Sequence, residues 1–433
     1  MEATVDVPTF ALVEHSNLRE RAGPPKRNRK ISTSGHKYFF LSVGMASHPY
    51  FAHRSEEGHM YDRLPTLELW ERTAARQNAG ADMVPMQGVP MLPMPAHVVD
   101  AVARFAGDVF PRQTRGSRML KSAIADHLDT NFGLSANPDT ELLVTHGAQH
   151  GMSIALRALL APGDEVLIPA PTYFFDALVR MAGAHPRYVQ ARASDGWALP
   201  LEAMASEVTP ATKAIILCNP NNPTGNVPTR GELAAVLEFA KLHNLYVFSD
   251  ESYEFYVHDG VSYTPQMTLR ETYDRLITIT SFSKNYAFSS WRVGYVHAPA
   301  DLLEVIHRAF ECDSINVGDI PQIAVHAALV GPRDWLDVEF DTFCNRRDLL
   351  LDASRTAGFD AVTPAAGIFC YVDFSRTGLS GRLLEDALLD IGVPASAGDR
   401  FAGVDSHYAR ILYGGTAENI LRAAERFRLL PTG

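Results

Sequence analysis

A lysine that follows two serines, with an arginine eight residues further on, brings together a nucleophilic amine and the means to hold an anion. The segment Ser281-Phe282-Ser283-Lys284 leads to Arg292 in SSWRVGY. An amine at a strand end inside a cleft forms an imine with a carbonyl compound, and nearby positive charge lowers its pKa. Upstream, Asp250 closes the apolar run LYVFSD, where a carboxylate needs a cationic partner. The stretch CNPNNPTGN (218–226) holds two Asn-Pro pairs and a glycine, turn chemistry dense enough to fix an asparagine amide in one orientation. Thr145-His146-Gly147-Ala148-Gln149 runs into a helical pattern; small residues at a helix start let backbone N–H groups approach a phosphate, which the helix dipole favours. Pro171-Thr172-Tyr173 adds an aromatic side chain at another strand end.

Each of these features alone is matched by an ordinary structural role: a tight turn, an N-cap aspartate, a core tyrosine, a surface lysine. Together they supply amide donors, hydroxyls and an arginine for a phosphate, an aromatic platform, an aspartate for a ring nitrogen and a lysine for an aldehyde. Those are the requirements of pyridoxal 5'-phosphate.

The elements that must position them are legible as β-branched runs alternating with amphipathic helices, the pattern of a parallel sheet covered on both faces. The expected strands are 141–146, 164–170, 212–218, 245–250, 275–281 and 293–298, and in such α/β sheets ligands sit beyond the carboxyl ends. After the third strand, Thr229 and Glu232 form a capping box, and Leu233, Val236, Leu237 and Ala240 repeat with helical spacing. Beyond residue 300 the pattern shifts to a long charged helix (334–356), short strands at 367–374 and 409–414, and a last helix over 416–429, the form of a smaller α+β domain. We divide the chain into an N-terminal extension (1–84, partly mobile, with a basic arm from Arg19 to Lys37), a large cofactor-binding domain (85–300) and a small C-terminal domain (301–433).

Composition narrows the partners. The 433 residues are 46% hydrophobic and 21% charged, with a formal net charge of −11, so the chain is globular and has no general basic face for nucleic acid or anionic lipid. No run approaches the ~18 to 20 apolar residues of a membrane span, and the start MEATVDVPTF lacks a signal-peptide pattern. A cytoplasmic protein is expected, with its four cysteines (Cys218, Cys312, Cys344, Cys370) reduced, buried and structural.

NPNNPTG, SDESY, SFSKNYAFSSWRVGY and a late R-I-L occur in an order and spacing that resemble the class I/II aminotransferases of fold type I, the aspartate aminotransferase-like superfamily. The resemblance implies an α/β fold whose large domain carries a mainly parallel seven-stranded sheet, beside a smaller α+β domain. It implies that Lys284 forms the internal aldimine and moves the Cα proton, that Asp250 pairs with the pyridine nitrogen, and that Asn222 and Tyr253 bond the ring's phenolic oxygen, with Lys284, Asp250 and Tyr253 catalytic. Tyr173 would stack on the ring. Ala148 and Gln149 amides, Ser281, Ser283 and Arg292 would hold the phosphate. Arg410, in YARILYG, matches the arginine for the substrate α-carboxylate; Gly88 and Asn222 would lie beside the substrate, and Gly398 and Phe401 fit the loop before the arginine strand.

The chain also departs from the resemblance. A tyrosine usually donated to the neighbouring subunit's phosphate is missing from FPRQTRG, leaving Arg112 or Arg115 as replacements, and His146 and His150 stand where small or acidic residues are usual. The implied activity is transfer of an amino group from an L-amino acid to a 2-oxo acid by a homodimer. The alternative is chemistry at Cβ or Cγ of an amino acid such as S-adenosylmethionine, as in 1-aminocyclopropane-1-carboxylate synthases, within secondary metabolism. A cofactor-sensing transcription regulator ranks last, because the first 80 residues show no helix-turn-helix or basic DNA-binding region.

Overall fold

The computed structural model describes residues 64–86, 88, 92–107, 113–258, 260–401 and 406–431. The expected basic arm lies outside the described residues. Short apolar runs form β1 (Leu142–Thr145), β2 (Glu165–Ala170), β3 (His185–Gln190), β4 (Thr212–Cys218), β5 (Tyr246–Asp250), β6 (Leu276–Ser281) and β7 (Gly294–His297). They make a seven-stranded sheet in the order β1-β7-β6-β5-β4-β2-β3. Neighbours from β3 through β6 are parallel, whereas β7 runs antiparallel to both β1 and β6. The expected mainly parallel sheet is therefore present.

Both of its faces are buried, and β4 shows how. Ala214, Ile216 and Cys218 point into one apolar cluster, Ile215 and Leu217 into another. After α1 (Pro65–Asn78), the helices of this part of the chain are α2 (Ala96–Phe105), α3 (Arg118–Phe132), α4 (Ala148–Leu159), α5 (Asp176–Met181), α6 (Leu201–Ser206), α7 (Arg230–His243), the short α8 (Phe282–Asn285), α9 (Ala300–Asp313) and α10 (Asp319–Val330). The capping box of α7 forms as the sequence indicates, with Thr229 accepting from the Glu232 N–H and the Glu232 side chain accepting from the Thr229 N–H. Its Leu233, Val236, Leu237 and Ala240 are all buried. α9 packs on α4, and α10 on α2 and α3, so Leu303, Ile306, Phe310 and Ala324 share the core of the large sheet although they follow residue 300.

A second sheet, antiparallel in the order β10-β11-β9-β8, is built from β8 (Asp360–Ala361), β9 (Phe369–Asp373), β10 (Ser396–Ala397) and β11 (Tyr408–Leu412). With it go α11 (Asp334–Thr356), α12 (Gly381–Asp390) and α13 (Ala417–Phe427). Their cluster includes Phe343, Leu384, Ile411 and Phe427, and also Val84, Tyr253 and Tyr256. α1 joins this side: Leu69 packs with Met83 and Leu389, and Arg72 and Arg76 pair with acids of α12.

Two expectations need correction. β3 was absent from the expected strands because HPRYVQ is polar and mostly half-exposed; it lies at the sheet edge and pairs with β2 alone. None of the four cysteines is in a disulfide, but Cys312 is exposed and Cys344 only partly buried, since charged helix surfaces place them at the periphery. No described helix is long and apolar enough to cross a membrane.

Candidate active site

Sheet register sets the floor of the site. Cys218 is level with Asp250, and Asp250 with Ile279, while Gly294 is level with both Thr145 and Ser281. The carboxyl ends of β1, β4, β5 and β6 are thereby aligned along one rim, where α/β sheets bind ligands.

At the end of β6 the Ser281 hydroxyl accepts from the Ser283 N–H at 3.1 Å, capping α8 and turning the chain so that Lys284 faces the cleft. Lys284 Nζ donates to the Gly88 carbonyl at 3.1 Å. Burial, with the positive charges of Arg410 and Arg292, brings its amine down to about 7. At the end of β5, burial raises the Asp250 carboxyl to about 6, opposed by hydrogen bonds from the Ser252 hydroxyl and N–H. Among the described residues no cation pairs with Asp250, which is 9% exposed.

Asn222 connects two elements. Its Nδ2 donates to the Tyr253 hydroxyl at 3.3 Å, and its Oδ1 accepts from Arg410 Nη1 at 2.9 Å. Burial pushes the Tyr253 phenol far up, so it stays protonated. The Arg410 guanidinium carbon lies 4.9 Å from the Phe401 ring centre, 5.8 Å from Phe369 and 5.9 Å from Phe174. Its Nε has no hydrogen-bond partner among the described residues. A buried arginine among rings, fixed by one amide oxygen, keeps donors available for an anion.

The other end of the cleft is built to receive negative charge. α4 begins at Ala148 without a side-chain cap and without an acidic residue in its first turn. Arg292 Nη1 donates to the Ser283 hydroxyl at 3.2 Å and the Ser289 carbonyl at 3.0 Å. Gly147 sits at φ +81°, a backbone conformation strained for any side chain, and a Cβ there would also press on Arg292 Nη2 at 2.8 Å. A Cβ at Gly294 would meet the Thr280 carbonyl at 2.5 Å and the Ala148 nitrogen at 2.9 Å, so this glycine lets β7 close against the helix start.

Ala148, Gln149, Tyr173, Asn222, Asp250, Tyr253, Ser281, Ser283, Lys284 and Arg292 all line a single cleft with about 680 Å³ of empty space. Arg410 and Gly88 join it through Asn222 and Lys284. Cys218, Ser252 and Ser289 also line it and were not singled out. The two serines stand inside SDESY and SFSKNYAFSSWRVGY, near Asp250 and Arg292, so their signal is the hydroxyls of those same motifs. Gly398 admits close approach of Tyr371 and Ser406, since a Cβ would meet them at 2.4 and 2.3 Å. The histidines turn elsewhere: His146 Nε2 bonds the Ser314 hydroxyl at 2.7 Å and His150 Nε2 the Asp313 carboxylate at 3.1 Å. Arg115 pairs with Glu304, and Arg112 lies outside the described residues.

Comparison with known proteins settles the kind of enzyme. Residues 107–427 match the family described as aminotransferase class I and II, well over half the chain. The chain belongs to that family. This aminotransferase is 31% identical over 374 residues to an arginine–pyruvate transaminase of Pseudomonas aeruginosa, covering 85% of this chain and 95% of that one. It is 29% identical over 369 residues to an aspartate/prephenate aminotransferase of Thermus thermophilus, covering 84% and 94%. Among solved structures, the aromatic aminotransferase from Pyrococcus horikoshii OT3 superposes with a TM-score of 0.76 at 29% identity, covering 82% of this chain and 98% of that one. The fold is that of aspartate aminotransferase, as a Thermus thermophilus structure with TM-score 0.79 shows at 27% identity, covering 85% and 97%. The protein is thus a pyridoxal-phosphate-dependent aminotransferase.

Proposed function

We propose that this aminotransferase moves the α-amino group of an L-amino acid to a 2-oxo acid, with Lys284 as the amine that bonds the cofactor's aldehyde carbon. The observation that carries the reading is the convergence, in one cleft, of the half-buried Lys284 amine and the buried Asp250 carboxylate that has no cationic partner among the described residues. The donor set fits the cofactor. Asp250 suits a protonated ring nitrogen, Asn222 and the protonated Tyr253 suit an oxyanion on the ring, and the α4 start with Ser281, Ser283 and Arg292 suits a phosphate.

When bound, pyridoxal phosphate supplies the electron sink that makes the substrate's Cα proton removable. The remaining work falls to the chain. Arg410, held by Asn222 and the three phenylalanine rings, binds the substrate carboxylate through two parallel N–H···O bonds, and so orients the Cα–H bond. Lys284, neutral above about pH 7, takes that proton and returns it. Tyr173, at the mouth of β2, provides the flat face against the ring.

A half-reaction tests the reading against chemistry at Cβ or Cγ. Given an amino donor and no 2-oxo acid, the protein should convert its aldehyde cofactor stoichiometrically to the amine form and stop after one turnover per site. Continuous product formation from S-adenosylmethionine without any 2-oxo acid would replace the proposal by the lyase or synthase alternative.

The same reading makes the protein a homodimer. Light scattering should give twice the mass of one chain, and a fully active monomer at high dilution would defeat this part.

A further inference from the structure

Arg410 lies over the Phe401 ring, and the residue before Phe401 is bonded to charged groups of α1 and α12. Glu385 of α12 is 1% exposed. Its Oε1 accepts from Arg72 of α1 and from Arg400 Nη2, the latter at 3.3 Å, and its Oε2 accepts from the Ala397 N–H at 3.4 Å. Arg400 Nη1 donates to Glu68 of α1 at 3.1 Å. The next residue is Phe401, whose carbonyl accepts the Thr172 N–H at 2.8 Å and whose ring stacks on Phe174 at 5.0 Å. Thr172 adjoins Tyr173, which lines the cleft.

We propose that Glu385 and Arg400, with Glu68 and Arg72 of α1, are positioning residues for substrate binding: they hold the Gly398–Phe401 turn so that Phe401 supports the Arg410 guanidinium. A carboxylate this deeply buried is tolerated only with its guanidinium partners in place, so the pairings give the turn one register. Phe401 then carries that register to Arg410 through ring contact and to the large sheet through its backbone bond to Thr172. α1 is thereby part of the apparatus that recognises the amino acid, although none of its residues lines the cleft. This inference rests on Arg410 as the carboxylate site.

The test compares Glu385→Gln, Glu68→Gln and Arg410→Lys with the parent holoenzyme, using the best donor from a panel of L-amino acids. Glu385→Gln should raise KM about tenfold, the scale of a displaced binding group, with kcat within about twofold and the cofactor absorbance unchanged. Glu68→Gln, at a more exposed end of the network, should raise KM about threefold with the same split. An unchanged KM in Glu385→Gln overturns the inference, as does a parallel loss of KM, kcat and cofactor absorbance, which marks general destabilisation. If Glu385→Gln does not fold, Glu68→Gln decides by the same criterion. Arg410→Lys separates the two levels: a raised KM there with none in the network variants removes only the positioning role, whereas an unchanged KM for Arg410→Lys removes the carboxylate site and the inference with it.

Discussion

Lys284→Ala should lower turnover by about 10⁴-fold or more, because one substitution removes both a covalent attachment point and a positioned base. The cleft keeps Asp250 and Arg292 in this variant, so cofactor should still bind, now without a covalent bond. Borohydride reduction followed by peptide mapping should fix the cofactor mass on Lys284 in the parent protein and on no lysine in the variant. Cofactor mass on a different lysine would sink the assignment. The pH dependence has a definite sign. With its pKa lowered to about 7, the Lys284 amine is mostly protonated below that value and nucleophilic above it. Covalent loading of cofactor-free protein should therefore accelerate as pH rises through 7 and level off beyond it, far below the onset expected for an ordinary lysine near ~10.4.

Asp250→Asn should lower kcat about thousandfold while leaving the fold intact. A carboxylate and a ring cation ~4 Å apart at an effective dielectric of ~20 attract by about 4 kcal/mol, and each ~1.36 kcal/mol is a factor of ten. Asparagine keeps the shape but cannot hold the ring nitrogen protonated. Because burial raises the Asp250 carboxyl to about 6 in the protein itself, it is charged above that pH and neutral below it. Cofactor affinity should accordingly weaken more steeply in the parent than in the variant as pH falls through 6, the difference between them being the Asp250 contribution. A variant with parental kcat would show that the carboxylate has no electrostatic part in the reaction.

The residues on the strand ends were legible because their signals are local: an apolar run, then a few polar or glycine residues, then a helix start. α11 falls on the predicted 334–356, and the N-cap of α13 is Thr416, where the sequence begins that helix. β3 was not legible, since an edge strand with one covered side needs no apolar alternation. The links between distant segments were illegible for a different reason. Arg72 and Glu385 are 313 positions apart, and a charged helix face looks the same in sequence whether it meets water or a buried acid. Likewise, the amphipathic patch in SVGMASHPYFAHRSEEGHMYDRLPTLELWERTAARQ marks a segment able to order against the body, but not that its Leu69 meets Leu389.

Lys284 and Arg292 both belong to the single β6-α8-β7 excursion, whose ends are locked level by the Ser281–Gly294 pairing, and Asp250 sits on the adjoining strand. Arg410 and Phe401 come instead from the second sheet and its preceding turn. On the proposed roles, everything that grips the cofactor is tied to one rigid rim, and much of what meets the amino acid is carried by separate segments. Sequence drift in those segments can change which substrate is accepted without retuning the reactive amine. That separation gives a physical route by which relatives named for arginine, aspartate and aromatic substrates can share one chemistry.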